Sequence, residues 1–122
     1  MTDAQHPTLA AGRWTQLSLV EQLANVGSEV ERALTWLGKK NTEYSRLALL
    51  RALELLGLTI ADPRHRHRLK EMTRLREALL DHFLGANAYG STEKAWRAYF
   101  YAFGYAASLQ RHKAASPLET PR

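Results

Sequence analysis

Apolar residues recur at steps of three and four along most of the chain, and this spacing restricts the chain to helices. The first such repeat consists of Leu19, Leu23, Val26, Val30, Ala33 and Leu37. Because an α-helix makes one turn in 3.6 residues, this spacing places the apolar side chains on one helix face. No strand-like alternation of apolar and polar residues competes with it. The sequence therefore predicts an all-α fold.

Residues that start or stop a helix divide the periodic part of the chain into four segments. The starting residues are Ser18 with Glu21 as a capping box, Asn41 or Thr42, Asp62 followed by Pro63, and Ser91 or Thr92. Gly38, Asp62-Pro63 and Gly85 indicate the helix ends. The predicted helices cover residues 18–37, 42–61, 63–84 and 91–112 of a single helical domain, with flexible tails at residues 1–13 and 114–122. Their short connections favour an antiparallel up-down four-helix bundle.

The second predicted helix is apolar on nearly all sides. From residue 46 to residue 60 its polar residues are only Arg46, Arg51, Glu54 and Thr59. A helix in a lone bundle needs one apolar stripe, so this helix must be covered on more than one side. Either a second copy or another protein covers it, or the N-terminal segment around Trp14 and Leu17 folds over it. We expect the former, and therefore a homo-oligomer or a protein partner.

The net positive charge is concentrated in one segment. The chain has 17 Lys and Arg against 12 Asp and Glu, a formal net charge of +5, and residues 63–76 hold six basic residues against one acidic residue. These six residues are Arg64, Arg66, Arg68, Lys70, Arg74 and Arg76. At helical spacing Arg66, Lys70 and Arg74 form one row, in which like charges four residues apart repel until an anion binds. The rest of the chain is balanced.

Arginine clusters at a helix start suit phosphate recognition, because the guanidinium group is a planar fork and the free amides of the helix start also attract anions. We therefore expect RNA or DNA binding through these six residues. In the fourth helix, Arg97, Tyr101 and Tyr105 follow at steps of four and extend the predicted surface by stacking on unpaired bases. Two simpler alternatives stay open. The basic segment can be a solvated face, and the tyrosines can pack at the rim of the bundle or against another subunit.

Several classes of function lack the residues they need. The chain has no cysteine, which excludes thiol catalysis, disulfides and cysteine-based metal sites. His65 and His67 are two positions apart, about 200° on a helix, and so cannot chelate one ion. We therefore expect no metal and no cofactor. The sequence also lacks a glycine-rich phosphate loop, a run of about 18 apolar residues and a signal-peptide pattern, so we expect a cytoplasmic protein with no membrane contact.

One pattern suggests an enzyme. Arg76 and His82 match the Arg-x4-6-His motif and so resemble HEPN ribonucleases, which are small helical bundles that usually act as dimers. The resemblance implies a metal-independent ribonuclease in which a cation and a general base activate a 2′-hydroxyl group. Six residues turn a helix by about 240°, however, so the two side chains are not expected on one face.

Three stretches carry a wider resemblance: SLVEQLANVGSEVERAL, RALELLGLTIADPRHRHRLKEMTRLREALLD and YGSTEKAWRAYFYAFGYAA. With them the chain resembles a widespread set of small bacterial four-helix-bundle proteins, a resemblance that implies no activity. In size, architecture and charge it is also similar to the group that contains the ribosomal intervening-sequence proteins and the accessory variability determinant of diversity-generating retroelements. That similarity implies a basic, ring-forming homo-oligomer, typically a pentamer, that binds nucleic acid and a reverse transcriptase.

The leading expectation is therefore a non-enzymatic, oligomeric accessory protein that binds nucleic acid and a protein partner. A HEPN-like ribonuclease that uses Arg76 and His82 is one alternative. A structural interaction module, whose basic helix meets an acidic protein surface, is the other.

Overall fold

The computed structural model describes residues 12–114, which form four α-helices, two short 3₁₀ segments and no strand. The helices are α1 (Leu19–Gly38), α2 (Thr42–Ala61), α3 (Leu69–Leu84) and α4 (Glu93–Ala114), and the 3₁₀ segments are Arg13–Gln16 and Pro63–Arg68. The predicted all-α class with four helices is confirmed for these residues. The tails predicted at the two termini fall largely on residues 1–11 and 115–122, outside the described part.

Local side-chain bonds explain where three of the helices begin. The Oγ of Ser18 accepts the backbone N–H of Glu21 at 3.1 Å, and the Glu21 carboxylate accepts the backbone N–H of Ser18 at 2.9 Å, which completes the capping box. Asn41 and Thr92 each accept the backbone N–H three residues further on. Each cap satisfies an amide that has no partner within its helix.

The end of α1 differs slightly from the prediction. Gly38 is still helical, and the residue in the left-handed conformation is Lys40, with φ of 63°. The backbone N–H groups of Lys40 and Asn41 donate to the carbonyls of Leu37 and Trp36, both at 2.9 Å. These bonds close the helix end beyond Gly38, so the glycine is not the residue that turns the chain.

The segment after α2 corrects the predicted start of the third helix. Pro63–Arg68 is a 3₁₀ segment with a kink at His65, and the α-helix begins only at Leu69. Asp62 forms the first turn of this segment, because its carboxylate accepts the backbone N–H of Arg64 at 3.0 Å and its carbonyl accepts that of His65 at 3.1 Å. These i+2 and i+3 bonds replace the i+4 bonds of an α-helix.

The core lies between α1 and its neighbours. α1 packs against α2 and α4, and α2 also packs against α3 and the second 3₁₀ segment. The buried apolar cluster consists of Trp14, Leu23, Val26, Val30, Ala33, Leu34, Ala48, Leu49, Ala52, Leu55, Leu56, Met72, Leu75, Leu79, Trp96 and Phe100. At the contact of α1 with α4, a Cβ on Gly27 would lie 2.7 Å from the Cβ of Phe100. The absence of a side chain at Gly27 therefore permits this close approach.

α2 is covered in one part and open in another. Trp14 is only 1% exposed, and its indole N–H donates to the Oγ1 of Thr59 at 3.3 Å. The N-terminal segment thus folds over the C-terminal half of the helix. Near the N-terminal end, Tyr44, Leu47 and Leu50 stay exposed. Three apolar side chains of this helix therefore stay uncovered by the described residues.

A buried polar cluster joins the N-terminal segment to the end of α2. The amide of Gln22, which is fully buried, donates to the carbonyl of Trp14 at 3.0 Å and to the carboxylate of Asp62 at 3.1 Å. Arg64 donates to the same carboxylate at 2.7 Å and to the carbonyl of Leu17 at 2.8 Å. The hydrogen bonds from Arg64 hold the pKa of Asp62 well below its usual range, so the carboxylate stays charged although it is buried.

The α1–α4 contact generates a matched pair of substitutions. Gly27→Ala forces a Cβ into the ring of Phe100, and we expect it to lower the free energy of unfolding by about 1 to 3 kcal/mol. Gly104 is also helical but meets nothing within 4 Å, so Gly104→Ala should raise that free energy by roughly 0.5 to 1 kcal/mol. Urea denaturation measures both, and equal effects of the two variants would contradict this packing.

His65 should make the fold sensitive to mild acid. Burial lowers the pKa of its imidazole below the usual 6.5, despite the attraction of Asp62. The unfolded chain therefore takes up this proton first as the pH falls, and the free energy of unfolding decreases below pH 6.5. Asp62 contributes in a separate window, because its stabilisation is lost only below its unfolded pKa of 3.8.

The measurement compares urea midpoints at about pH 7.5 and about pH 5. His65→Gln should lose less stability between these two pH values than the wild type. The exposed neighbour provides the control: His67→Gln should retain most of the wild-type dependence, because the charge of His67 lowers the pKa of His65 less than burial does. If the His65 variant keeps the full dependence, another group is responsible.

Candidate nucleic-acid interface

Three of the predicted cations are exposed and have no internal partners, although the 3₁₀ winding at Arg66 interrupts the continuous α-helical row that the spacing predicted. Arg66 lies in the second 3₁₀ segment, while Lys70 and Arg74 lie on α3, and all three side chains are exposed. None of them forms an ion pair with a residue in the range 12–114. We call these three residues the basic row. Arg76 is likewise exposed and has no ion pair in that range.

Two other predicted cations are held by carboxylates within the chain. Arg64 pairs with Asp62 at 2.7 Å, and the Nε of Arg68 donates to Glu71 at 2.7 Å. Glu71 also accepts the hydroxyl of Tyr99 from α4 at 3.3 Å. The charge of Arg68 is therefore largely neutralised, and its position is fixed between α3 and α4.

The pKa shifts of these groups have the same origin. The hydrogen bond from Arg68 lowers the pKa of Glu71, and the bonds to Asp62 and Glu71 raise the pKa of Arg64 and Arg68. Burial, together with the charge of Glu71, raises the pKa of Tyr99 to about 12. At neutral pH the basic row is therefore flanked by closed ion pairs, and its own charges have no internal partner.

The row suits phosphate groups better than a flat or apolar ligand. Lys70 and Arg74 are four residues apart on α3, so their backbones are separated by about 6 Å along the axis. Like charges at this spacing repel, and binding an anion removes that repulsion. Arginine and lysine are also the side chains that contact the phosphates of nucleic acids most often.

The fourth helix does not extend this surface. Arg97 donates to Glu31 of α1 at 2.9 Å and also pairs with Glu93. Tyr101 is 71% exposed, but it lies two positions after Tyr99, which faces α3, and is therefore about 200° away around the helix. The structure thus does not bring Arg97 and Tyr101 together with the basic row. Their contact with nucleic acid stays a prediction.

Arg76 and His82 have different surroundings. Arg76 is exposed, whereas His82 is half-buried, with its ring 4.9 Å from that of Phe83 and 6.0 Å from that of Trp96. The Nδ1 of His82 is buried without a hydrogen-bond partner. No hydrogen bond or aromatic contact joins His82 to Arg76, so the geometry provides no paired cation and base.

Other kinds of site are not evident in residues 12–114. No group of three or more His, Cys, Asp or Glu side chains there could hold a metal ion. No helix in the same range has the length and hydropathy needed to cross a bilayer. No protein-family model, curated protein or solved structure matches the chain.

The sequence analysis did not identify the two carboxylates that pair with some of the cations and leave the others unpaired. Asp62 lies two residues before Arg64, and Glu71 lies three residues after Arg68. Spacings of three and four on a helix indicate ion pairs, so the Arg68–Glu71 pair had a signal in the sequence. The pair of Asp62 with Arg64 depends on the 3₁₀ geometry and had none.

Removing the charge of Glu71 should add a cation to the interface. In Glu71→Gln, Arg68 loses its carboxylate partner, and we expect tighter binding of a DNA duplex, with a salt slope steeper by roughly 0.9. Fluorescence anisotropy of a labelled duplex measures this over a salt series. The control is Glu43→Gln, which changes the net charge by the same amount at an exposed position of α2. Equal slopes in the two variants would show that only total charge matters.

Proposed function

We propose that the chain is a non-enzymatic accessory protein that binds the phosphate backbone of RNA or DNA through the basic row. The observation that supports this most strongly is the division of the cations. Arg64 and Arg68 are neutralised within the chain, whereas Arg66, Lys70 and Arg74 are exposed and have no internal partner. A surface that only keeps the protein in solution does not need positive charge concentrated in one segment, because a mixture of positive and negative side chains favours solubility more.

The six predicted residues then have different roles. The basic row and Arg76 contact phosphate directly and release counterions on binding. Arg64 is a positioning residue, because it ties Asp62 to the carbonyl of Leu17 and so holds the 3₁₀ segment that carries Arg66. Arg68 is a weaker contact, since Glu71 shares its charge.

We propose further that the bundle is antiparallel and that it forms homo-oligomers through α2. The connections between the helices, at residues 39–41, 62–68 and 85–92, are short, which favours antiparallel neighbours. On α2, exposed Tyr44, Leu47 and Leu50 lie beside Glu43 and Arg46, which form no ion pair with other described residues. A surface with an apolar centre and both signs of charge can match a second copy of itself.

The proposal includes a protein partner. The similarity to the accessory variability determinant of diversity-generating retroelements suggests that this partner is a reverse transcriptase. Such an adaptor would hold a nucleic acid on one face and a protein on another. The described residues have separate surfaces that fit this arrangement, since the basic row lies on the second 3₁₀ segment and α3 while exposed apolar side chains lie on α2 and α4.

Charge reversal of the basic row is the decisive experiment. The triple variant Arg66→Glu, Lys70→Glu, Arg74→Glu should lose binding of a labelled RNA hairpin or DNA duplex without unfolding, because all three side chains are exposed. In the wild type, the logarithm of the affinity for the duplex should fall with the logarithm of the salt concentration with a slope of roughly three to four. Anisotropy at several salt concentrations measures both.

The control reverses three other exposed cations. Lys94→Glu, Arg111→Glu, Lys113→Glu on α4 takes the formal net charge from +5 to −1, as the first triple variant does. It should retain most of the affinity. Equal loss in both variants, or binding by the first as tight as in the wild type, contradicts the proposed interface. Shortening of the RNA by the wild type but not by His82→Ala would replace the proposal with the ribonuclease.

A further inference from the structure

The outer face of α4 has an apolar stripe that stays open. Its members, which share one face of the helix, are Ala98, Tyr101, Ala102, Tyr105 and Leu109, and we call them the α4 stripe. The three large side chains are 71%, 57% and 51% exposed. The rings of Tyr101 and Tyr105 are nearly parallel, with centroids 6.4 Å apart. Contiguous apolar surface of this kind marks a contact with another molecule.

The charges around the α4 stripe have a single sign. After Glu93, α4 contains no acidic residue up to Ala114. Lys94, four residues before Ala98, and Lys113, four residues after Leu109, lie on the face of the stripe, whereas Arg111, seven residues after Gly104, lies on the side of α4 that carries Gly104. All three are exposed and form no ion pair with residues 12–114. Glu93 itself forms an ion pair with Arg97. A partner on this stripe therefore meets apolar side chains in the middle and uncompensated positive charge at both ends.

A groove beside the stripe gives the surface depth. It lies between α1 and α4, encloses about 540 Å³ and has Tyr101 in its wall. Small residues from both helices line it, namely Ala24 and Ser28 of α1 and Gly104 of α4. Such residues let another backbone approach closely, and a third helix laid along α4 would fill the groove and cover the α4 stripe.

We infer that the α4 stripe and the groove bind an acidic amphipathic helix of a partner protein. The inference rests on the protein partner of the proposed function and specifies its chemistry. The bound helix presents apolar side chains at steps of three and four to Tyr101, Tyr105 and Leu109. Its carboxylates lie near Lys94 at one end and near Arg111 and Lys113 at the other.

A second copy of this chain fits the α4 stripe poorly. In antiparallel pairing, Lys94 of one copy lies beside Lys113 of the other, and in parallel pairing identical cations meet. Either direction places positive charge against positive charge, which disfavours the pair. The α2 surface differs in this respect, because Glu43 and Arg46 supply both signs.

Stacked bases also fit the stripe less well than a helix does. Surfaces that bind single strands combine aromatic side chains with a positive groove that follows the phosphates. Here Glu31 and Glu93 neutralise Arg97, the cation of α4 that lines the groove. The free cations lie only at the ends of α4, whereas the middle is apolar.

The test uses three synthetic helical peptides with the length of α4, 22 residues. All three carry the same leucine stripe, and their flanking positions are glutamate, lysine or glutamine. We expect the full-length protein to bind the glutamate peptide at least about tenfold more tightly than the lysine peptide, because roughly three exposed charge pairs change sign. The variant Tyr101→Ala, Tyr105→Ala should weaken this binding by about tenfold or more.

The two charge-reversed triple variants separate this inference from the proposed function. The α4 variant with Lys94, Arg111 and Lys113 reversed should lose the glutamate peptide and keep nucleic acid, and the α3 variant should do the opposite. Equal binding of the glutamate and lysine peptides, or no binding of the glutamate peptide, overturns the inference and leaves the basic row untouched. Binding of a single-stranded RNA that is lost in the Tyr101→Ala, Tyr105→Ala variant also overturns the inference, since base stacking would then explain the stripe.

Discussion

The buried carboxylate of Asp62 organises much of the chain around it. A charged group in the interior is tolerated only when its oxygens are fully hydrogen-bonded, and here Gln22, the Arg64 side chain and the Arg64 backbone satisfy it. The backbone bond from Arg64 lies in the first turn of a 3₁₀ segment, Pro63–Arg68, that precedes the α-helix. The Arg64 side chain also donates to the carbonyl of Leu17. Through these bonds, one carboxylate connects the N-terminal segment, α1, the end of α2 and the start of the basic segment.

The same chemistry explains why a basic segment presents only some of its charge. Asp62 and Glu71 each hold one arginine, so neutralised and uncompensated cations alternate along a short length of chain. The neutralised ones are anchored in the fold, and the uncompensated ones point to solvent. A cation whose charge is shared contributes little to attracting an anion, whereas one without a partner contributes its full charge. The arrangement therefore combines arginines that are held in place by carboxylates with exposed cations that can attract an anion.

Local signals predicted the fold well, and contacts between elements were harder to predict. The capping box at Ser18, the caps Asn41 and Thr92 and the existence of four helices follow from neighbours in the sequence. The buried face of α2 does not, because a helix apolar on all sides has no periodicity that selects one face. The positive segment was evident from composition, but the sorting of its charges depends on how Asp62 and Glu71 are oriented, which only the three-dimensional arrangement determines.

The docking of Trp14 has a consequence for the order in which the chain folds. Its bond to Thr59 spans 45 residues, and the bond from Arg64 to Leu17 spans 47. During synthesis the N-terminus emerges first, yet the pocket for this indole is built from residues made much later. Synthesis adds about 5 to 20 residues per second, so Thr59 follows Trp14 only after an interval of seconds. A nascent chain therefore exposes its indole until α2 is complete, and this interval is when it most needs protection from misassociation.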